Sequence, residues 1–262
     1  MLKPLQLIKS RYLIVEQAGS GGFSTVYRAE DTLLGLPVAI KVGNAGDALP
    51  MRREAQFLAS LKHRSIPQFR DFFEHRTTWC LAMEWIAGTC LHTTSRLPIR
   101  QVVAVGSQLC EVLFYLHHRT PPIIHRDLKL ANILLSGDTL FLLDFGISSY
   151  PGLNAFLGGS RGYAAPEQWL QTDITPRTDV YSLGMVLYRL LMGRPFPVPG
   201  DSTTHVKGEH PPTLQPLVLS PGSQPLLDLI ERMTRQEPTH RPDVTDVWQE
   251  LKHIADSDGA AE

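Results

Sequence analysis

"IIHRDLKLANILL", residues 123–135, sets an acid, a base and an amide between two apolar runs. Asp127, Lys129 and Asn132 are flanked by Ile123-Ile124 on one side and Ile133-Leu134-Leu135 on the other. Charged groups are seldom buried unless they are paired or functional. Such a segment either satisfies its own charges in a surface turn or surrounds something.

Working outward, the part before it is strand-rich and the part after it helical. β-type runs begin at Tyr12–Val15, break at "GSGG", resume at Thr25–Ala29, turn at Leu34-Gly35 and return at Pro37–Val42. Three short strands with tight turns predict an antiparallel meander. "MRREAQFLASLK", 51–62, predicts one helix entered at Pro50. Two more strands are expected around Gln68–Phe73 and Trp79–Trp85. Val102, Val105, Leu109, Val112, Leu113 and Leu116 then recur at helical spacing. Residues 179–193 are apolar nearly all round, as in a central buried helix. A loop-dominated stretch over 194–222 precedes two closing helices, "PLLDLIERM" and "VTDVWQELKHIA", and a tail from 257 to 262 reads as disordered. The lobe boundary is expected near Ala87-Gly88, giving a β-rich lobe over about 10–87 and a helical lobe over about 88–256.

Bulk properties exclude several classes. The chain has 262 residues, 19% charged, with a formal net charge of -1, so no global field points to nucleic acid or an anionic membrane. Cys80, Cys90 and Cys110 are odd in number and lack metal-ligand spacing, which fits a reducing cytoplasm better than a disulfide framework. The N-terminal apolar runs are short and broken by Lys3, Lys9 and Arg11, unlike a signal peptide. No uninterrupted apolar stretch is long enough for a membrane span. The expectation is a soluble intracellular globular protein.

Other polar features recur in a fixed order around the opening stretch. "AGSGGFSTVY" places Gly19, Gly21 and Gly22 between two strands, where a backbone without side chains approaches a ligand closely and offers N–H groups to phosphates. A plain hairpin turn uses glycine too. "VAIK" ends an apolar strand on Lys41, which also suits a solvated edge residue. Glu54 shares a helix face with Leu58, either paired or facing solvent. "FLLDFGIS" ends an apolar run on Asp144 before Phe145 and Gly146, and "AAPE" follows at 164–167.

In that order the motifs resemble the eukaryotic-type serine/threonine protein kinase family over about residues 10–255. The resemblance implies an α+β bilobal kinase fold, with a small β-rich N-lobe carrying one main helix and a larger helical C-lobe. It implies transfer of the γ-phosphate of Mg-ATP to a protein Ser/Thr hydroxyl, with ATP and Mg²⁺ as cofactors. Gly19, Gly21, Gly22 and Ser24 would lie over the phosphates, and Lys41, paired to Glu54, would hold them. Asn132 and Asp144 would bind Mg²⁺, a hard cation that takes oxygen ligands. Asp127 would accept the hydroxyl proton while Lys129 screens charge. Val26, Ala39 and Leu134 would sandwich adenine, with Met83 as gatekeeper and Glu84 and Ile86 at the hinge. Leu58, Phe69, His125 and Phe145 match the stack of side chains linking the lobes. Glu167 would pair with Arg241, and Asp179 would brace the catalytic loop. Lys129 after "HRDL" goes with serine/threonine specificity.

Some positions depart from the family pattern. Ser24 replaces the third glycine of the phosphate loop. The usual activating phosphosite falls on Phe156, although Arg126, which receives such a phosphate in the family, is present. Ser160 matches a threonine that contacts the catalytic Asp and Lys. Arginine-directed members read an upstream Arg with carboxylates at positions that here hold Cys90 and Leu130-Ala131, so no requirement for that Arg is expected. Two alternatives stand beside transfer to protein: a kinase-like scaffold without transfer, and a small-molecule kinase of the aminoglycoside or choline type. The intact polar set argues against the first, while Lys129, "DFG" and "AAPE" argue against the second. The resemblance leaves room for a regulatory partner beside the protein substrate.

Overall fold

Alternation along one short strand explains the β-rich half. In Val38-Ala39-Ile40-Lys41, Val38 and Ile40 join an apolar cluster with Ile8, Tyr12, Ile14, Tyr27, Ala29, Phe73, Cys80 and Ala82. Ala39 and Lys41 turn to the opposite face, because successive side chains on a strand alternate. In the computed structural model, residues 2–21, 24–43, 48–94, 96–152, 158–170, 173–194 and 223–259 are described.

The elements in chain order are β1 (Leu7–Ile8), β2 (Tyr12–Ser20), β3 (Ser24–Asp31), β4 (Leu36–Gly43), α1 (Ala48–Ser60), β5 (Phe69–His75) and β6 (Thr78–Glu84). Then come β7 (Thr89–Cys90), α2 (Ile99–His117), β8 (Ile133–Ser136), β9 (Thr139–Leu142), α3 (Glu167–Leu170), α4 (Pro176–Met192), α5 (Gln224–Met233) and α6 (Val244–Gly259). The chain divides into two compact units. One comprises 1–88 with 136–146 and the other 89–135 with 147–262. The returning segment 136–146, which carries Asp144, belongs with the β-rich unit, a grouping that the linear boundary near Ala87-Gly88 does not convey.

In the first unit six strands form one sheet in the order β1-β2-β3-β4-β6-β5, every neighbouring pair antiparallel. α1 packs against β5 and β6. Its buried residues Met51, Glu54, Ala55 and Leu58 fall at helical spacing, so Glu54 sits within the apolar stripe. The helix begins at Ala48, ahead of the expected start, and Pro50 lies within its first turn, where a missing N–H breaks no helical bond. β1 was not expected; two residues are too few to carry periodicity.

In the second unit β7 pairs antiparallel with β8, matching Thr89 to Leu135 and Cys90 to Leu134. α2 packs against α4 and α6, and α4 also against α5. By length and composition α2 is apolar enough to cross a membrane, but ten of its residues are buried within the unit. α4 begins at Pro176, where the Thr175 N–H donates to Thr178 Oγ1 at 3.3 Å, and ends at Gly193, whose φ of +68° closes it in the left-handed conformation. α6 runs on to Gly259, so the tail expected to be disordered from 257 is helical for three more residues. The stretch read as loop over 194–222 lies almost entirely outside the described residues.

Candidate active site

The sheet face that carries Lys41 assembles one half of the expected site. Lys41 pairs in register with Val26 on β3 and Leu81 on β6, and Ala39 pairs with Met83. Val26, Ala39, Lys41 and Met83 therefore share one face, opposite the apolar cluster. Glu84 closes β6, and Ile86 follows in the connection to β7. Leu134 lies in the second unit, on β8.

Lys41 is the centre of an ionic cluster, buried at Lys41 and Glu54 and open to solvent at Asp144. Its Nζ donates to Glu54 Oε1 at 2.7 Å, Glu54 Oε2 at 2.8 Å and Asp144 Oδ1 at 2.7 Å. Burial pulls the ammonium pKa down, but the two carboxylates more than offset that and raise it, so Lys41 stays charged. Glu54 is only 4% exposed, and burial, with Asp144 adding to it, pushes its carboxyl up to about 7 against the pull of Lys41. Asp144 stands in the left-handed region at φ +62°, and its Oδ1 also accepts the Gly146 N–H at 3.2 Å. A Cβ on Gly146 would lie 3.1 Å from Asp144 Oδ1 and 3.5 Å from Glu54 Oε2. Glycine thus leaves room for the cluster, a close approach that the "DFG" letters alone do not reveal.

The glycine stretch forms a hairpin. Gly19 pairs with Val26 and Ser20 with Thr25, and the Gly21 N–H donates to Ser24 O at 2.8 Å. Among the described residues, and apart from the adjoining chain, nothing lies within 4 Å of a Cβ built on Gly19, and on Gly21 only Ser24 O at 3.9 Å. Neighbouring chain therefore does not demand these glycines. Gly22 lies outside the described residues.

The second unit carries the group around Asp127. The Asp127 carboxylate is gripped on both oxygens: Ser160 Oγ donates to Oδ1 at 2.7 Å, and Lys129 Nζ to Oδ2 at 2.7 Å. Asn132 Nδ2 donates to Asp127 Oδ2 at 3.1 Å and to its backbone carbonyl at 2.9 Å. Lys129 Nζ also donates to Ser160 Oγ at 2.7 Å. The three polar groups of the opening stretch thus satisfy one another, and Ser160 is a fourth member, making the contacts to Asp127 and Lys129 that its match to the family threonine implies.

Deeper in this unit, Asp179 on α4 accepts the backbone N–H groups of His125 and Arg126, both at 2.8 Å, and lies 2.9 Å from His117 Nε2. Burial tends to raise its pKa, but the His117 contact and these donors outweigh it and hold the carboxyl below its ordinary value. His117 at the end of α2 is the member of this brace that sequence reading missed; a histidine closing an apolar helix gives no signal. Glu167 and Arg241 pair as expected, at 2.6 and 2.9 Å.

Of the hydroxyls between Asp144 and Glu167, Ser148 and Ser149 are buried, and Ser148 Oγ donates to His125 O at 3.3 Å. Phe156 lies outside the described residues. Arg126 Nη1 donates to Ile147 O at 3.2 Å. The positions singled out for arginine reading meet: Cys90 Sγ lies 3.4 Å from both the Leu130 and Ala131 carbonyl oxygens. Of the stacking set, Leu58 and Phe145 are buried in the first unit and His125 in the second, while Phe69 is half-buried.

Known proteins bear on this geometry. The model of the protein kinase domain matches residues 12–251. The serine/threonine-protein kinase pkn2 of Myxococcus xanthus is 32% identical over 290 residues, covering 100% of this chain and 34% of that protein. The serine/threonine-protein kinase PknB of Mycobacterium leprae is 36% identical over 78% of this chain and 36% of its own length. PrkC of Bacillus subtilis, likewise a serine/threonine-protein kinase, is 31% identical over 96% of this chain and 41% of its own length. The chain therefore spans about a third to two fifths of the relatives it matches. With a β-rich unit of one main helix, a helical unit and a family match across nearly its whole length, the chain belongs to the protein kinase domain family.

Proposed function

We propose that this chain transfers the γ-phosphate of Mg-ATP to a serine or threonine hydroxyl of a protein substrate. The observation that carries it is the Asp127 carboxylate, oriented through both oxygens by Ser160, Lys129 and Asn132. A carboxylate so fixed accepts the proton of an incoming hydroxyl as the oxygen forms its bond to the γ-phosphorus and the bond to the β-phosphate breaks, releasing ADP. Lys129, already on Asp127, offsets negative charge beside the transferred group. Phosphoryl transfer needs positioning and charge neutralisation more than covalent chemistry by the protein, and this set is suited to that.

The residues present fit a hard divalent cation and a nucleotide. Asp144 offers a carboxylate from a side chain 41% exposed, and Asn132 spends its amide N–H groups on Asp127, which leaves its oxygen as a metal ligand. Mg²⁺ bound there would supply charge neutralisation to the phosphates. Lys41, fixed by Glu54, would hold the phosphates beside the uncrowded backbone of Gly19 and Gly21, with Ser24 on the returning strand. Val26, Ala39 and Met83, on the same sheet face as Lys41, would receive adenine with Glu84, Ile86 and Leu134. We infer a cytoplasmic location from three scattered cysteines outside metal-ligand spacing, a usage that suits a reducing compartment.

Radiolabelled ATP with dephosphorylated casein tests the reading. Wild type should label serine or threonine. Asp127→Asn should transfer about a hundredfold to ten-thousandfold more slowly and still bind Mg-ATP. Transfer by Asp127→Asn at the wild-type rate, or a wild type that labels no protein, would refute it.

A further inference from the structure

Gln168 is the first residue after "AAPE", sits on the one-turn α3, and is 2% exposed. A primary amide has two N–H donors and one oxygen. Both donors are used on backbone carbonyls: Nε2 to Arg126 O at 2.8 Å and to Gly158 O at 2.9 Å. The oxygen accepts the Ala165 N–H at 3.2 Å.

Those two carbonyls lead to the two sides of the Asp127 cluster. The Arg126 carbonyl belongs to the peptide that enters Asp127, whose own N–H donates to His125 Nδ1 at 3.3 Å. Arg126 is held at φ +70°, a conformation that a side-chain-bearing residue keeps only when its surroundings over-determine it. Asp179 fixes the peptide before it through the Arg126 N–H, and Gln168 fixes the peptide after it through the carbonyl. Gly158, on the other donor, stands two residues before Ser160, the hydroxyl on Asp127 Oδ1. Between them Gly159 is threaded against the same amide. At φ +151°, its Cβ would lie 2.5 Å from the Ala164 Cβ and 3.0 Å from Gln168 Nε2.

We propose that Gln168 is a positioning residue that holds Asp127 and Ser160 in register by clamping the Arg126 and Gly158 carbonyls with one neutral amide. The proposal rests on the phosphotransfer reading of Asp127. It gives the loop a means of alignment that needs no phosphate, in a chain with Phe156 where an activating phosphosite usually falls.

The test uses the full chain with Gln168→Met, which keeps volume and removes both donors, and Gln168→Glu, which turns a carboxylate toward two carbonyl oxygens. Casein and Mg-ATP kinetics are measured from pH 6 to 8 alongside thermal midpoints. Two lost hydrogen bonds predict about a ten- to hundredfold fall in kcat for Gln168→Met, with KM for Mg-ATP within about twofold. Protonation of the new carboxyl in Gln168→Glu restores one donor. The activity of that variant relative to wild type should therefore rise at least about threefold between pH 8 and pH 6. A merely structural glutamine gives no such pH-dependent rescue. A kcat within about threefold of wild type in either folded variant at pH 8, or a flat pH ratio for Gln168→Glu, overturns the clamp. An inactive wild type would instead overturn the phosphotransfer reading itself.

Discussion

Arg241 allows a stability prediction to be worked from the structure. Its side chain is fully buried, and all five guanidinium donors are used. Nη1 and Nη2 grip Glu167 at 2.6 and 2.9 Å, and the others reach the carbonyls of Arg235 at 2.7 Å, Gln236 at 2.9 Å and Arg177 at 3.1 Å. The guanidinium also lies 5.0 Å from the Tyr181 ring centroid. Arg241→Met keeps apolar bulk but leaves Glu167 with the Thr178 hydroxyl at 2.9 Å in place of a countercharge. Removing one partner of a buried ion pair costs about 3–5 kcal/mol. At about 2–4 °C per kcal/mol for a chain near this size, the thermal midpoint should fall by about 6–20 °C. Arg241→Lys should fall between, since an ammonium has three donors and no planar fork. Glu167→Leu combined with Arg241→Met should recover part of the loss, because the uncompensated charge is gone while three carbonyls stay short of donors. Urea and thermal unfolding followed by circular dichroism measure all four proteins. A shift under about 1 kcal/mol for Arg241→Met would show that the pair contributes no more than an exposed one.

Gly146→Ala should weaken Mg-dependent nucleotide binding by about tenfold, because a methyl 3.1 Å from Asp144 Oδ1 must push that carboxylate aside; unchanged affinity by calorimetry would oppose this. Asp179 has a folded pKa below its unfolded value near 3.9, so its stabilisation is present above about pH 4 and lost as pH falls through the lower folded value. Thermal midpoints should decline on acidification below about pH 4, and Asp179→Asn should flatten that decline; identical acid slopes would count against the brace. An oriented peptide library should show no requirement for Arg two or three residues before the acceptor, since Cys90 meets backbone carbonyls at Leu130 and Ala131 where a carboxylate would be needed. Hundredfold selection for that Arg would mean another carboxylate reads it.

The residues that make the kinase cluster were legible in the chain because their chemistry is unusual for their surroundings. An acid, a base and an amide inside an apolar run, and a lysine ending an apolar strand, announce themselves without a structure. So did the strands of the meander, since a period of two survives in short segments, and the long helices, whose apolar stripes repeat every turn. What the chain order could not express is convergence. That Glu54 lies within a buried stripe, where it could equally have faced solvent, depends on α1 packing against β5 and β6. That Asp144 joins Lys41 across 103 residues depends on segment 136–146 returning to the β-rich unit. His117 and Gln168 look ordinary in sequence because an imidazole at a helix end and an amide after a glutamate have no periodic or compositional signature. Each is defined only by the backbone and side-chain atoms that folding brings to it. Sequence by itself determined the family of chemistry through residue types that are costly to bury without a purpose. Tertiary structure alone decided which of them share a charge and which backbone carbonyls they hold, because hydrogen bonds act over about 3 Å and that distance is set by packing.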